Sequence, residues 1–204
     1  MKEKLKAAAE ILSGIRLIPL VALMLLSSNR NTVFADLDRW ALNCHFGQPR
    51  NLVQRILLFV HFMTWRREYR NVFYFRTGIP GRLLSMFCPP LSSLHLDTDT
   101  KIGPGLFILH GDGTYVAAVT IGANCWISQQ VAVGFMDEED RPTIGNNVTI
   151  NAGAKVLGKV KVGDNATIGV NSAVIMDVPA HATVMGVPAI VRWNKQANHP
   201  ATRA

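Results

Sequence analysis

Hydrophobic positions follow two different periods along this chain, and the change falls near Leu94. Ahead of it, Leu5, Ala8, Ile11, Leu12 and Ile15, and then Leu52, Ile56, Leu57, Val60 and Met63, recur at helical spacing. This predicts an α-helical region over residues 1–93. Beyond it, Ile144, Ile150, Val156, Val162, Ile168 and Val174 follow one another at intervals of six residues. Ile102 and Ile108 open that series, and Ile121, Ile127 and Val133 continue it after an offset of one residue. A six-residue interval does not fit the roughly 3.6-residue turn of a helix, and the glycines within the series oppose one.

Small and turn-forming residues stand between these aliphatics, as in Ile144-Gly-Asn-Asn, Val162-Gly-Asp-Asn and Ile168-Gly-Val-Asn. Gly and Asn tolerate positive φ and so suit corners. One inward aliphatic and one corner per hexad describe one face of a parallel β-helix, in which three short strands make each coil and the coils stack their aliphatics. The expected fold is mainly β: a hexapeptide-repeat β-helix over 94–192, with the helical region before it and a tail over 193–204.

The 204 residues are 49% hydrophobic and 17% charged, enough to bury a core. The net charge of +7 is uneven. Residues 1–96 hold 13 bases and 5 acids (13 − 5 = +8), and the remainder 8 bases and 9 acids (8 − 9 = −1). The basic front half predicts attraction to anionic partners. No nucleic-acid motif accompanies it, so nucleic acid is not expected. The apolar run Leu17 to Leu26 is shorter than the roughly 20 residues of a membrane span. Arg16 abuts that run, Pro19 interrupts it and no A-x-A site follows, which argues against an export signal. Cys44, Cys88 and Cys125 are odd in number and widely spaced, the pattern of free thiols rather than of disulfides or structural zinc.

The hexads, together with Leu106-Phe-Ile-Leu-His110-Gly, Ile150-Asn-Ala-Gly-Ala-Lys155-Val-Leu-Gly158 and Val184-Met-Gly-Val-Pro-Ala189, resemble the hexapeptide acyltransferases. The resemblance is to the serine acetyltransferase branch and its polysaccharide O-acetyltransferase relatives, and it covers 94–192 well. It implies a left-handed parallel β-helix, a homotrimer with its active site between subunits, and acetyl-CoA as the acyl donor, with no metal. Pro188, near the end of the repeats, lacks the N–H that a further coil would need.

An alcohol attacking a thioester needs a base to take its proton, and histidine is the usual choice. His110 matches the family's catalytic histidine. Such a base often has a partner that fixes its tautomer. Where serine acetyltransferases have an aspartate ahead of the histidine, this chain aligns His95, with Asp97 and Asp99 just beyond; either acid could act if the register slips, and each reads more readily as a solvated corner. The resemblance assigns Ala152, Gly153 and Ala154 to the pantetheine arm of coenzyme A. Lys155, Arg192 and Lys195 are candidates for its phosphates, each also readable as an ordinary surface cation.

The acceptor is less constrained. Serine acetyltransferases carry Asp-Arg-His-Pro before the strand that here begins at Ile144; this chain reads Asp140-Arg141-Pro142, without the histidine. Asp140 and Arg141 are the acceptor-binding candidates that remain. The missing histidine and the basic front half favour a sugar hydroxyl in surface polysaccharide assembly, on a lipid- or nucleotide-linked carrier, with the front half touching the inner face of the membrane. Serine O-acetylation and a non-catalytic trimeric scaffold are the alternatives. A cytoplasmic location is expected in either enzymatic case.

Overall fold

A computed structural model describes residues 2–135, 137 and 139–192, with side chains from residue 14 onward. Four helices come first: α1 (Lys2–Leu26), α2 (Arg30–Asn43), α3 (Leu52–Trp65) and α4 (Arg67–Leu84). The Asn51 side chain caps α3 by accepting from the Gln54 amide at 2.9 Å. α4 bends at Gly78, whose φ of 62° is not helical, two residues before Pro80. The aliphatic spacing finds part of the inward face of α3: Met63 is buried and Ile56 and Val60 pack half-buried against the core. Phe59, Phe62 and Met63 are fully buried, whereas Leu57 is 64% exposed, because the aromatic cluster of α2 and α4 claims the larger side chains. No single helix among the described residues is long and apolar enough to cross a membrane.

From Leu94 the chain winds through five coils of a parallel β-helix. Sheet A takes β1 (Leu94–Leu96), β4 (Thr114–Val116), β7 (Ala132–Gly134), β10 (Lys155–Leu157) and β13 (Ala173–Val174). Sheet B takes β2 (Lys101–Ile102), β5 (Thr120–Ile121), β8 (Thr143–Ile144) and β11 (Lys161–Val162). Sheet C takes β3 (Phe107–Leu109), β6 (Trp126–Ser128), β9 (Thr149–Ile150), β12 (Thr167–Ile168) and β14 (Thr183–Met185). Each sheet stacks one aliphatic column. Val116, Val133, Val156 and Val174 stand in register in sheet A; Ile102, Ile121, Ile144 and Val162 in B; Ile108, Ile127, Ile150, Ile168 and Val184 in C. The six-residue period is therefore one step from one sheet to the next. The helix ends beyond Pro188, where β15 (Ile190–Arg192) folds back antiparallel on β14.

The offset in the series is now located. Inward Ile108 and Val116 are eight residues apart (116 − 108), and Val116 and Ile121 are five (121 − 116). The corner between β3 and β4 is thus wider than a hexad allows, and His110 lies in it.

The helices sit against the first coil through two buried links. Asp36 of α2 accepts from the Gly105 and Leu106 amides at 2.8 and 2.9 Å and from Arg76 Nε of α4 at 2.8 Å. Arg76 in turn donates to the Ile102 and Gly103 carbonyls. Burial pushes the Asp36 carboxyl up from its ordinary value, with Arg76 and the two amides pulling against it. Trp40 supplies the second link: its Nε1 donates to the Leu106 carbonyl at 3.0 Å, and its ring meets Phe107 edge-on at 4.8 Å.

Candidate active site

His110 occupies a three-residue turn in the widened corner. The Gly111 amide donates back to the Leu109 carbonyl at 2.9 Å, and His110 between them has φ of 66°. That turn is rare and strained for a side-chain-bearing residue, and strain of this kind concentrates at functional sites. His181 makes an instructive contrast. It also has positive φ, but it follows Asn124, Asn147 and Asn165 down an ordinary corner column between sheets B and C, with its amide donating to the Asp164 carbonyl. His110 is exposed, and no hydrogen bond holds its imidazole among the described residues.

The same edge, between sheets C and A, carries the residues assigned to coenzyme A. Its rungs are joined by Gln130 N–H to Asp112 carbonyl at 2.8 Å and Gly153 N–H to Gln129 carbonyl at 3.0 Å. His110 and Ala152–Gly153 therefore lie on one edge, two coils or about 10 Å apart at the ordinary strand spacing. Two details of the expectation change. The Ala154 side chain is fully buried inside the coil and does not face the groove. The Gly153 and Ala154 amides already donate within the chain, so the groove offers shape and carbonyl oxygens in place of those two donors. Lys155 reaches over the edge, its Nζ donating to the Gln130 and Gly153 carbonyls at 2.6 and 3.0 Å. Arg192 lies exposed on β15, and Lys195 lies outside the described residues.

The partners considered for His110 are engaged elsewhere. His95 points outward from β1 and stacks on Tyr115, ring centroids 4.9 Å apart. Asp97 lies on the edge between sheets A and B, where its Oδ2 accepts from Arg141 Nη1 at 2.6 Å. Arg141 also covers the Phe135 ring at 4.8 Å. One of its guanidinium donors is thus taken by Asp97, and Asp140 beside it belongs to the same edge. Neither His95 nor Asp97 bonds to His110.

Residues that the sequence did not single out for chemistry stand beside the turn. Gly111 packs so closely that a Cβ there would lie 3.3 Å from Glu68 Cβ. Glu68, in the first turn of α4, is only 12% exposed, and Arg66 Nη1 is 4.0 Å from its carboxylate. Both line a cavity of about 200 Å³ between the helices and sheet C, walled by Phe107, Leu109 and Trp126. A larger cavity, about 600 Å³, lies among Phe46, Arg50, Leu57 and His61 on the helices, lined by no residue of the His110 edge. Glu68 is the single acid between Asp38 and Asp97, and that isolation in a basic stretch was the available signal.

Comparison with known proteins fits this geometry. The bacterial transferase hexapeptide description (six repeats) matches residues 141–175. Serine acetyltransferase of Synechococcus elongatus is 38% identical over 120 residues, 57% of this chain and 49% of that one. The chain resembles the hexapeptide-repeat acyltransferases of the serine acetyltransferase branch. A serine acetyltransferase of Neisseria gonorrhoeae, solved in complex with serine, is 27% identical, with a TM-score of 0.61 over 84% of this chain and 72% of that one. A serine acetyltransferase solved with CoA is 26% identical, with a TM-score of 0.57 over 78% and 68% of the two chains. The chain spans about half the length of the curated serine acetyltransferases it matches.

Proposed function

We propose that this chain is an acetyltransferase that moves the acetyl group of acetyl-CoA to the hydroxyl of serine. The observation that carries the proposal is His110, held in a strained turn on the edge shared with Ala152–Gly153, at the position to which the resemblance assigns the catalytic histidine. The imidazole takes the hydroxyl proton as the oxygen attacks the thioester carbonyl. When the tetrahedral intermediate collapses, the C–S bond breaks and the imidazolium returns the proton to the departing thiolate. The exposed His110 edge suits a cleft completed by a neighbouring subunit, so we infer a homotrimer, in the cytoplasm with its donor. The thiols Cys44, Cys88 and Cys125 are unpaired, in keeping with a reducing compartment.

The relatives that bind or are named for serine support this acceptor over a polysaccharide sugar. A sugar acceptor stays as the second reading, favoured by the absent histidine of Asp-Arg-His-Pro and by the pairing of Arg141 with Asp97. Coenzyme A release from acetyl-CoA, measured with L-serine and with nucleotide sugars, decides between them. The wild type should release it with serine, and His110→Ala should lower turnover by roughly two to four orders of magnitude. Turnover with nucleotide sugars alone would overturn the serine reading, and an unimpaired His110→Ala would overturn the mechanism.

A further inference from the structure

The cavity of about 600 Å³ on the helical cap falls within the roughly 300–1,000 Å³ of small-molecule pockets, and no residue of the His110 edge lines it. Part of its wall is preformed. Where α2 ends, the His45 amide donates to the Leu42 carbonyl at 3.1 Å and the Phe46 amide to the Ala41 carbonyl at 2.9 Å, with His45 at φ of 63°. That paired closure fixes the backbone of Phe46, and its ring meets His61 at 4.9 Å and Phe62 at 5.7 Å, both edge-to-face. Leu57 and Leu58 of α3 complete the apolar lining. Phe46 is 52% exposed and Leu57 64%, so both keep apolar area for an occupant to cover.

The charge of the lining has one sign. No acid lines the cavity, and none stands in the first turn of α3. Arg50 lines it and enters no ion pair among the described residues. The Gln54 Oε1 accepts from the Arg50 amide at 2.6 Å, which leaves the Nε2 donors of Gln54 for a ligand. Donors gathered without an acid of their own select an anion, and the guanidinium fork matches a carboxylate best. We infer that this cavity binds a small carboxylic acid with an aromatic body, its carboxylate on Arg50 and Gln54 and its ring against Phe46, Leu57 and Leu58. The site lies apart from the acyl-transfer edge, so the inference goes beyond the proposed activity and does not rest on it. It also gives Leu57 a reason to be apolar while facing away from the core. A carboxylate without the ring leaves the apolar lining wet, and a cation meets Arg50 as a like charge.

Indole-3-acetate is the probe. Tryptamine, the same ring with a cation, and acetate, the same carboxylate without a ring, are its controls. Titration calorimetry on the full chain should show saturable binding of indole-3-acetate and none of either control. Arg50→Gln should weaken that binding roughly tenfold to a hundredfold, and Arg50→Lys should recover part of the loss. Leu57→Glu, which sets an acid beside the carboxylate, should abolish it. Both positions are exposed, so the variants should melt with the wild type, and that is checked alongside. Saturating acetyl-CoA and the His110→Ala change should leave the affinity where it was, which keeps this result separate from the fate of the acyl-transfer proposal. Absence of saturable binding, tryptamine binding as tightly as the acid, an affinity untouched by Arg50→Gln, or displacement by acetyl-CoA would each overturn the inference. So would a sedimentation mass that rises with concentration and falls on Leu57→Glu while the probe does not bind, since the occupant is then a second copy of this chain.

Discussion

The β-helix and the helical cap bury similar chemistry by different means. In the β-helix every inward side chain meets its equivalent one coil away, so Ile108 stacks on Ile127, Ile150, Ile168 and Val184, and each contact is a copy of the next. In the cap no contact repeats. Trp40, Phe59, Phe62, Tyr69 and Phe73 form one edge-to-face cluster. A repeat spreads its stability over coils, each of which depends mainly on its neighbours. The cap concentrates stability in a few residues, and its hold on the first coil concentrates it further, in Asp36, Arg76 and Trp40. The candidate site lies where the two regimes meet.

Asp36→Ala should therefore be the most damaging change to stability. It strands the Arg76 guanidinium and the Gly105 and Leu106 amides in a buried setting, at a cost of about 3–5 kcal/mol. In urea the cap should melt ahead of the β-helix, seen as loss of helical circular dichroism before the strand signal. A single transition at the wild-type midpoint would show that the cap does not hang on this pair.

Gly111→Ala comes next. At φ of 67° a Cβ would lie 3.2 Å from Ile108 Cγ2 and from Leu94 Cδ2, so the corner must shift. We expect about 1–2 kcal/mol of backbone cost and, because His110 moves with the corner, a loss of turnover on the order of tenfold or more. Gly158→Ala is the control. Its φ is 85°, but nothing lies within 4 Å of the added Cβ, so it should carry backbone cost alone and leave kcat intact. Equal kcat losses in both would remove the link between the His110 corner and catalysis. Trp40→Phe keeps most of the ring contact with Phe107 and loses the bond to the Leu106 carbonyl, for about 1–2 kcal/mol. A chemical-denaturation midpoint unchanged from wild type would mean water replaces that bond without loss.

The two regimes also differ in what their sequences disclose. Identical columns leave an arithmetic trace, so the coils are readable from Ile144 to Val174, and even the one-residue offset marks the widened corner of His110. The cap leaves no such trace. Leu57 fits the helical spacing and is exposed, while Phe59 and Phe62 do not stand out and are buried, because aromatic packing between helices overrides spacing along one of them. Site residues divide the same way. His110 and Ala152–Gly153 share an edge because the repeat forces it. Glu68 and Arg66 come to the turn through the packing of α4 on coil one, which no local pattern encodes. Nothing in the sequence ties Asp97 to Arg141, and their mutual pairing, 44 residues apart, is a product of coil stacking.

The smallest expected effect belongs to Lys155→Met, and it tests whether the edge holds its donor by charge or by shape. Lys155 fits the sequence expectation of a phosphate partner, yet its ammonium is spent on the Gln130 and Gly153 carbonyls of the edge itself. Three donors on one nitrogen can serve two carbonyls and a phosphate only if the phosphate approaches from the remaining side. If the ammonium acts chiefly as a clip between coils, its removal costs at most about 1 kcal/mol of stability, and KM for acetyl-CoA changes by less than about threefold. S-Acetylpantetheine, which lacks the phosphates, sharpens the measurement. A clip affects both donors alike, since both run along the same edge, whereas a phosphate partner raises KM for acetyl-CoA alone. A rise of tenfold or more confined to acetyl-CoA would return Lys155 to the phosphates and show that the repeat, here as at His110, lends an exposed position to chemistry.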